Sequence, residues 1–376
     1  MAQRKLNRNA WLLLLGIFLL FVPLLLLITW GAYLSDAAYQ LFLVARDLGG
    51  DLLPAFGSQM VTQLPLAVGL LSAAGPFAPQ VGLVLGAVGW SATAVVVLLS
   101  LRAAGRPLAA IVAALLIVLN PLVLTTAGTE ISWVLALGWA ALALTVLRWG
   151  RSKMLIWLKL ILLILLLGLH FNAATILFAL MLLAIDVYKG RAGWLPFVLI
   201  AAAALLWGVV IIPRFGSSPV VDPLLWLRDG YTFFANQQLY WLYVPFAIAG
   251  LWDVWTWDAD GAKAQNGLTL GQQLFVLLFL WVAMAVVAQG TIAPVIAAVV
   301  AITLAGMGAA WLTRKIFASG RMAIDHRRAA FLVPALTAIP LMLIALVSLW
   351  KFYTARPVLQ TELQDKAAAW LLENVD

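Results

Sequence analysis

The stretch WLLLLGIFLLFVPLLLLITW, Trp11–Trp30, decides the fold class of this chain of 376 residues. It contains no charged side chain and covers the roughly 20 residues that a helix needs to cross the apolar core of a bilayer. No water reaches the backbone there, so the segment has to satisfy its own N–H and C=O groups as a helix. Arg4, Lys5 and Arg8 precede it and no small-residue cleavage site follows, so we interpret it as a retained first helix that enters from the cytoplasm.

Similar apolar runs recur along the whole chain. Hydrophobic residues make up 65% of it, charged residues make up 10%, and the mean hydropathy is +1.05. Because a soluble domain cannot bury that much apolar surface, we predict an all-α fold, a polytopic transmembrane helical bundle of about eleven spans. After the first span, the predicted ones are 81–101, 107–126, 130–147, 154–169, 171–187, 193–212, 234–252, 271–289, 291–313 and 329–350.

The placement of basic residues predicts the orientation of the bundle. The net charge of +8 lies mostly in short turns between spans, where it indicates the cytoplasmic side and not nucleic-acid binding. The basic turn 314–328 falls on that side only if 234–252 crosses the membrane, which is why we count 234–252 as a span. We therefore predict a multi-pass protein of the cell (cytoplasmic) membrane, with a cytoplasmic N-terminus and with its polar chemistry and its C-terminus on the extracytoplasmic face.

Two regions follow from this topology. We expect residues 1–350 to form the transmembrane domain, whose first outer loop, 32–80, contains a short amphipathic helix. Residues 351–376 form an extracytoplasmic amphipathic tail with an apolar stripe that includes Leu363 and Trp370. The tail either lies on the membrane surface or is the start of a soluble domain that a C-terminally truncated chain would lack.

Several kinds of site are excluded by what is missing from the sequence. There is no cysteine, so disulfides and thiolate metal sites are ruled out, and the two histidines form no zinc motif. No GxxxxGK[ST] loop is present, which argues against ATP hydrolysis. We find no internal repeat and no acid–base pair in mid-span, which weakens a proton-coupled transporter, and we expect Lys159 and Asp186 as single charges near cytoplasmic ends.

The candidate chemistry lies on the predicted outer side and starts with Asp36. This residue opens the short amphipathic helix of the first outer loop, where it shares one helical face with Arg46. Asp36 could cap this helix, or its carboxylate could accept a proton from an attacking hydroxyl group at the edge of the membrane. The two roles are compatible, and we take Asp36 as the candidate base and Arg46 as a candidate substrate-binding residue.

Four more polar residues lie on the same predicted face. Glu130 opens the fourth predicted span, where the helix dipole favours a carboxylate, and it is the second candidate catalytic residue. His170 interrupts two apolar runs, either as an interfacial hydrogen-bonding residue or as a group that binds a phosphate oxygen or a sugar hydroxyl. Arg214 and Arg228 lie in a predicted outer stretch, where they either contact lipid headgroups or bind the phosphate of a substrate.

In their order and in their predicted side, these residues resemble the C-type membrane glycosyltransferases (the GT-C superfamily), in particular its protein O-mannosyltransferase, aminoarabinose transferase and Rgt-like branches. The resemblance covers most of residues 10–190 and the tail. It rests on short motifs, namely Asp36-Ala37-Ala38-Tyr39 with Ala45-Arg46, Gln63-Leu64-Pro65-Leu66, Leu119-Asn120-Pro121, Gly128-Thr129-Glu130 and Ala367-Ala368-Ala369-Trp370-Leu371-Leu372-Glu373-Asn374.

The resemblance implies both an activity and its substrates. Members of the superfamily transfer a sugar from a polyprenyl-phosphate donor to a lipid, glycan or protein hydroxyl outside the cytoplasmic membrane. Their essential acidic residue lies in the first outer loop and maps to Asp36, so the resemblance implies an inverting glycosyltransferase with Asp36 as base. Many members have Glu at the next position, where this chain has Ala37. No cofactor is therefore certain, the need for a divalent metal stays open, and Glu130 is the substitute carboxylate.

Two alternatives stay open beside a glycosyltransferase. One is a non-enzymatic polytopic membrane protein, such as a transporter or an assembly subunit, and the other is a glycan ligase of related fold. Membrane lipids are expected partners in each case, and nucleic acid in none. A structural subunit would tolerate loss of the Asp36 carboxylate, whereas a transferase would not.

Overall fold

The computed structural model describes residues 8–29, 41–42, 45, 65–103, 106–146, 153–171, 173–188, 194–202, 205, 240–256, 292–318, 338–351 and 354. All regular secondary structure in these ranges is helical, and none of them contains a strand. The predicted all-α class is thereby confirmed. The predicted span 271–289 lies outside the described residues, and so does the tail apart from Lys351 and Thr354, which are helical.

Eleven α-helices are described, in the following chain order. They are α1 (Arg8–Thr29), α2 (Pro65–Ala74), α3 (Ala78–Ala103), α4 (Pro107–Val118), α5 (Leu122–Thr125), α6 (Ile131–Val146), α7 (Lys153–Leu169), α8 (Ala173–Tyr188), α9 (Val244–Thr256), α10 (Ile292–Ala318) and α11 (Ala338–Lys351). Short 3₁₀ turns, Gly75–Phe77 and Tyr240–Tyr243, precede α3 and α9, and residues 194–202 are also helical.

Two helical runs are long and apolar enough to cross a bilayer, namely Leu66–Ala103, which includes α2 and α3, and Val295–Ile316 within α10. The other apolar helical stretches counted in the described ranges, such as Leu15–Thr29 within α1, are 10–17 residues long. Two such runs are modest support for a membrane protein, because the core helix of a soluble protein can be equally long and apolar.

Two helices differ from their predicted spans. The predicted span 107–126 is not one helix, because α4 ends at Val118 and Asn120-Pro121 separates it from α5. Pro121 has no N–H group to donate, and it disfavours a helical conformation at the preceding residue. Residues 65–80 belong to the predicted first outer loop, but they are helical and form α2, a 3₁₀ turn and the start of α3. No helix was predicted for this part of the loop.

The core forms around α3, which packs against α1, α4 and α6, while α10 packs against α4 and α9. The contact between α9 and α10 is close, because a Cβ atom added at Gly250 would collide with the Leu304 carbonyl and one added at Gly308 would collide with the Phe246 carbonyl. Small residues that let helix backbones approach in this way are typical of helix pairs in membranes.

The chain runs back and forth, so the described turns gather at two ends. The Glu130 end comprises the start of α3, residues 119–130 and the turn between α7 and α8. The Arg106 end comprises the turn between α3 and α4 and the last turns of α6, α8 and α9. Glu130 and Arg106 are thus separated along the bundle.

Candidate functional site

Residues 119–130 form an irregular, buried connection between α4 and α6 that satisfies its own polar groups. The Asn120 side-chain oxygen accepts a hydrogen bond from the Leu122 N–H at 3.0 Å, and the Thr126 hydroxyl donates to the Leu122 carbonyl at 2.6 Å. Thr129 donates its hydroxyl to the Thr126 carbonyl at 2.7 Å. Gly128 has a φ of 81°, a left-handed conformation that costs glycine little. The segment before Glu130 is therefore rigidly defined.

Glycines on α3 allow this connection to approach closely. Gly82, Gly86 and Gly89 lie on one face of the helix, at a spacing of four and three residues. A Cβ atom added at Gly86 would lie 3.3 Å from the Gly128 nitrogen, and one added at Gly89 would collide with the Ser132 side chain. A side chain at Gly86 or Gly89 would crowd Gly128 or Ser132, so these glycines let the start of α6 lie close to α3.

Two tryptophans fix the same segment by hydrogen bonds. The indole N–H of Trp90 donates to the Thr126 hydroxyl at 3.1 Å, and that of Trp133 donates to the Leu85 carbonyl at 2.8 Å. Trp90 is buried in the core, so its N–H group requires this partner. The backbone on both sides of Glu130 is thus held against α3.

Glu130 lies directly before α6, as predicted. Its carbonyl accepts hydrogen bonds from the N–H groups of Trp133 and Val134 at 3.0 and 3.1 Å, which is the first turn of the helix. Its side chain is only 8% exposed. The partial positive charge at the start of α6 stabilises the carboxylate in this buried position.

His170 lies beside Glu130 because α6 and α7 form an antiparallel hairpin. Its N–H donates to the Leu166 carbonyl at 3.0 Å, at the end of α7. Its Nδ1 atom lies 3.6 Å from Glu130 Oε1, and its side chain is 19% exposed. The partial negative charge at the C-terminus of α7 lies next to the imidazole, and the partial positive charge at the N-terminus of α6 lies next to the carboxylate.

Glu130 also lines a partly open cavity of about 220 Å³. Apart from Glu130 and Thr129, the side chains that the structure places around this cavity are apolar, and they come from α2, α3, α6, α7 and the first outer loop. The leucines among them are Leu41, Leu66, Leu70, Leu71, Leu85, Leu137, Leu165 and Leu169. The cavity is suited to a hydrocarbon chain with a polar group at the Glu130 wall.

The structure thus brings together two of the predicted site residues, Glu130 and His170. The other four, Asp36, Arg46, Arg214 and Arg228, lie outside the described residues. Leu41 lines the cavity five residues after Asp36. Among the described residues there is no group of three or more His, Asp or Glu side chains that could hold a metal ion, so the structure offers no test of a divalent metal.

The expectation that Lys159 and Asp186 are single charges is wrong. They form a buried ion pair between α7 and α8, and Lys159 Nζ also donates to the Leu182 carbonyl at 3.0 Å and to the Thr145 hydroxyl at 3.3 Å. Lys159 lies 10 residues before the end of α7 and Asp186 lies 13 residues after the start of α8. In an antiparallel hairpin these positions lie within about one helical turn of each other, so the spacing was a usable signal.

A second charge cluster, also missed, lies at the Arg106 end. Asp253 Oδ1 is 2.6 Å from an Arg314 nitrogen and 3.3 Å from an Arg106 nitrogen. The carboxylate is buried at 5% exposure, whereas the Arg314 side chain is 47% exposed. Sequence separation conceals this cluster, because its members come from three distant parts of the chain.

No protein-family model, no curated protein and no solved structure matches the chain.

Proposed function

We propose that the chain is an integral membrane glycosyltransferase of the GT-C type, which moves a sugar from a polyprenyl-phosphate donor to an extracytoplasmic hydroxyl acceptor. The observation that carries the proposal is the Glu130–His170 pair at the wall of an apolar cavity. The carboxylate is nearly buried and lies 3.6 Å from the imidazole, while leucines form most of the cavity wall. A lipid-linked substrate needs this combination of a proton acceptor and a space for hydrocarbon.

Exposed apolar helix faces support the membrane part of the proposal. On α7, Met154, Trp157, Ile161 and Ile164 are 77%, 49%, 53% and 53% exposed, and their spacing places them on one face. Several leucines of α1 are exposed in the same way. In water such faces would forfeit about 25 cal/mol per Å² of apolar surface, whereas lipid covers them without cost. A multi-pass protein of about eleven spans would account for these faces.

The cluster at the Arg106 end supports the proposed topology. Arg106 belongs to the first basic turn of the predicted cytoplasmic side and Arg314 to the last, and both contact Asp253. The two basic turns can share one side only if residues 234–252 cross the bilayer. The arrangement is therefore in accord with the basic turns lying in the cytoplasm and Glu130 lying toward the outer face.

In the proposed reaction, the acceptor oxygen attacks C1 of the donor sugar, the bond from C1 to the phosphate oxygen breaks, and the phosphate leaves on its polyprenyl chain. A carboxylate takes the proton of the acceptor hydroxyl. Asp36 is the proposed base, and Glu130 is the second carboxylate beside the acceptor. Protonated His170 can donate to the departing phosphate. Three arginines are proposed as further phosphate contacts, Arg46, Arg214 and Arg228.

The proposal is tested with the purified chain in nanodiscs and a panel of polyprenyl phosphates that carry hexoses or pentoses. Release of polyprenyl phosphate is followed by mass spectrometry. Glu130→Gln should lower kcat by about 100-fold or more, the usual size of a general acid–base contribution. His170→Gln should raise the donor KM more than it lowers kcat. Lys351→Gln, at an exposed position of α11, is the control and should leave both unchanged.

The outcome that would refute the role of Glu130 is a folded Glu130→Gln variant with normal turnover. If the unaltered chain releases polyprenyl phosphate from no donor of the panel, sugar transfer itself is refuted. Asp36→Asn tests the proposed base separately. It should abolish sugar transfer even though Glu130 is intact.

The Lys159–Asp186 pair favours a second candidate, a transporter. Ionisable residues that are paired inside a membrane bundle commonly mark proton or ion pathways. Lys159 is 2% exposed and Asp186 Oδ2 accepts from it, so the pair is buried between helices, toward the Arg106 end of the bundle. In proteoliposomes, proton flux that is lost in Asp186→Asn, together with an absence of sugar transfer, would favour this candidate over the enzyme.

A further inference from the structure

The side chains that line the cavity beside Glu130 accept hydrogen bonds and have none left to donate. Two side-chain donors belong to the described lining, the Thr129 hydroxyl and the Trp133 indole N–H. They already donate to the Thr126 and Leu85 carbonyls, at 2.7 and 2.8 Å. The Glu130 carboxylate is an acceptor. A ligand that enters the cavity therefore has to bring its own proton to this wall.

The charge of the lining separates a hydroxyl group from a phosphate. Glu130 is the one ionisable side chain of the described lining. Its full negative charge outweighs the partial positive charge, about half a unit, at the start of α6. A phosphate in the cavity would meet a like charge and no side-chain donor, whereas a hydroxyl group can donate to the carboxylate. His170, proposed above to contact the departing phosphate, is not part of the described lining.

The cavity opens to the outer surface of the bundle between α2 and α7, two helices that pack against each other. Leu71 lines the cavity and is only 3% exposed, so contact with the cavity does not by itself expose a side chain. Leu70 of α2 and Leu165 of α7 also line it, but they are 48% and 40% exposed. They therefore lie at the opening, where Ile161 and Ile164 continue the exposed apolar face of α7.

The size and the apolar wall of the cavity restrict its ligand further. A protein cavity of about 150 Å³ takes up one benzene molecule, so 220 Å³ holds a short segment of hydrocarbon. A longer chain has to continue through the apolar opening. A glycan or a peptide would bring several hydroxyl or amide groups against leucines, and each one left without a partner would cost free energy.

We propose that the acceptor of the sugar is a membrane lipid with one free hydroxyl group, which enters between α2 and α7. Its chain passes Leu70 and Leu165, and its hydroxyl donates to Glu130. In the transfer, the hydroxyl oxygen bonds to C1 of the sugar, the bond from C1 to the phosphate oxygen breaks, and the hydroxyl proton passes to the catalytic carboxylate. The role as acceptor rests on the proposed function, whereas binding of the lipid alcohol is measured without any sugar donor.

The test is photolabelling of the full chain in nanodiscs of phosphatidylcholine, a lipid without a free hydroxyl group. The probe is hexadecanol with a diazirine near its hydroxyl end, and labelled residues are located by mass spectrometry. Unlabelled hexadecanol and hexadecyl phosphate, which match in chain length, compete with the probe. We expect labels on α2 and α7 beside the cavity. Hexadecanol should compete at about tenfold lower concentration than hexadecyl phosphate, the effect of one hydrogen bond to a charged group.

Three variants link the labelling to this cavity. Leu165→Trp adds bulk at the opening and should remove most of the labelling. Ile161→Trp adds the same bulk one helical turn away, at an exposed position outside the described lining, and should leave the labelling unchanged. Glu130→Gln keeps the shape of the wall without its charge, so hexadecyl phosphate should then compete nearly as well as hexadecanol.

Each contrary outcome has a definite meaning. Hexadecyl phosphate that competes as well as hexadecanol for the unaltered chain, or equal losses of labelling in Leu165→Trp and Ile161→Trp, would overturn the proposed site. Sugar transfer to a soluble glycan or a serine peptide, but not to hexadecanol, would overturn the acceptor assignment and leave the transferase intact. Selective labelling without sugar transfer from any donor would instead refute the proposed function and retain the cavity as a binding site for lipid alcohols.

Discussion

Replacing Lys159 by methionine should destabilise the protein strongly. Lys159 Nζ donates to Asp186, to the Leu182 carbonyl and to the Thr145 hydroxyl, and the lysine is 2% exposed. Methionine fills a similar volume and removes all three contacts. The carboxylate of Asp186 is then left buried, with the partner charge gone.

The size of the effect follows from this burial. Breaking a buried ion pair by removing one partner costs about 3–5 kcal/mol, because the remaining charge is uncompensated. Replacing both partners with apolar residues of similar volume is often neutral or stabilising, by about 1–4 kcal/mol. The double variant Lys159→Met/Asp186→Leu should therefore regain most of the stability that Lys159→Met loses.

Unfolding in detergent is the appropriate assay, and the 18 tryptophans of the chain provide an intrinsic fluorescence signal. Lys351→Met is the control, since Lys351 is exposed. A Lys159→Met variant within about 1 kcal/mol of the unaltered chain would refute the reasoning, because that is the range of an exposed ion pair. If the double variant is no more stable than Lys159→Met, the destabilisation comes from lost packing and not from an unpaired carboxylate.

Two further predictions concern packing and the loop before Glu130. Gly250→Ala should destabilise the protein by about 1–3 kcal/mol because the new Cβ atom collides with the Leu304 carbonyl, whereas Gly16→Ala, which meets no atom within 4 Å, should be neutral or stabilising in the same unfolding assay. Trp90→Phe should lower the free energy of unfolding by about 1 kcal/mol or more, because it leaves the buried Thr126 hydroxyl without the indole donor. In a double-mutant cycle, Trp90→Phe should cost much less stability when Thr126 is already replaced by valine. Equal effects of the two glycine variants, or additive effects in the cycle, would contradict these predictions.

Helix positions were predictable where a charged residue ends an apolar run. The predicted span 81–101 corresponds to α3 because the basic residue Arg102 closes an uninterrupted apolar run, and Arg314 and Lys315 lie near the end of α10 for the same reason. The predicted span 107–126 was too long, because hydropathy stays high through Pro121 although the missing N–H group of this proline breaks the helix. Hydropathy measures apolarity and does not count backbone hydrogen bonds.

The candidate site was predictable only in part. Glu130 and His170 were assigned to one face because both lie between long apolar runs, and the α6–α7 hairpin brings them within 3.6 Å. The two charge clusters were missed because each depends on which helices are neighbours. Asp253 finds Arg106 and Arg314 only because α9 packs against α10 and α10 against α4, an order that apolar periodicity does not encode.

The break after α4 also determines how deeply Glu130 lies. With 12 residues, α4 covers about 18 Å, well short of the roughly 30 Å of a bilayer core. The buried connection then packs through Gly128 against Gly82 and Gly86, several residues inside α3. In the proposed orientation the carboxylate therefore lies below the headgroup level, where an unpaired charge would be costly. His170, the start of α6 and the end of α7 reduce that cost, and a substrate would have to bring its polar group down into the cavity to reach Glu130.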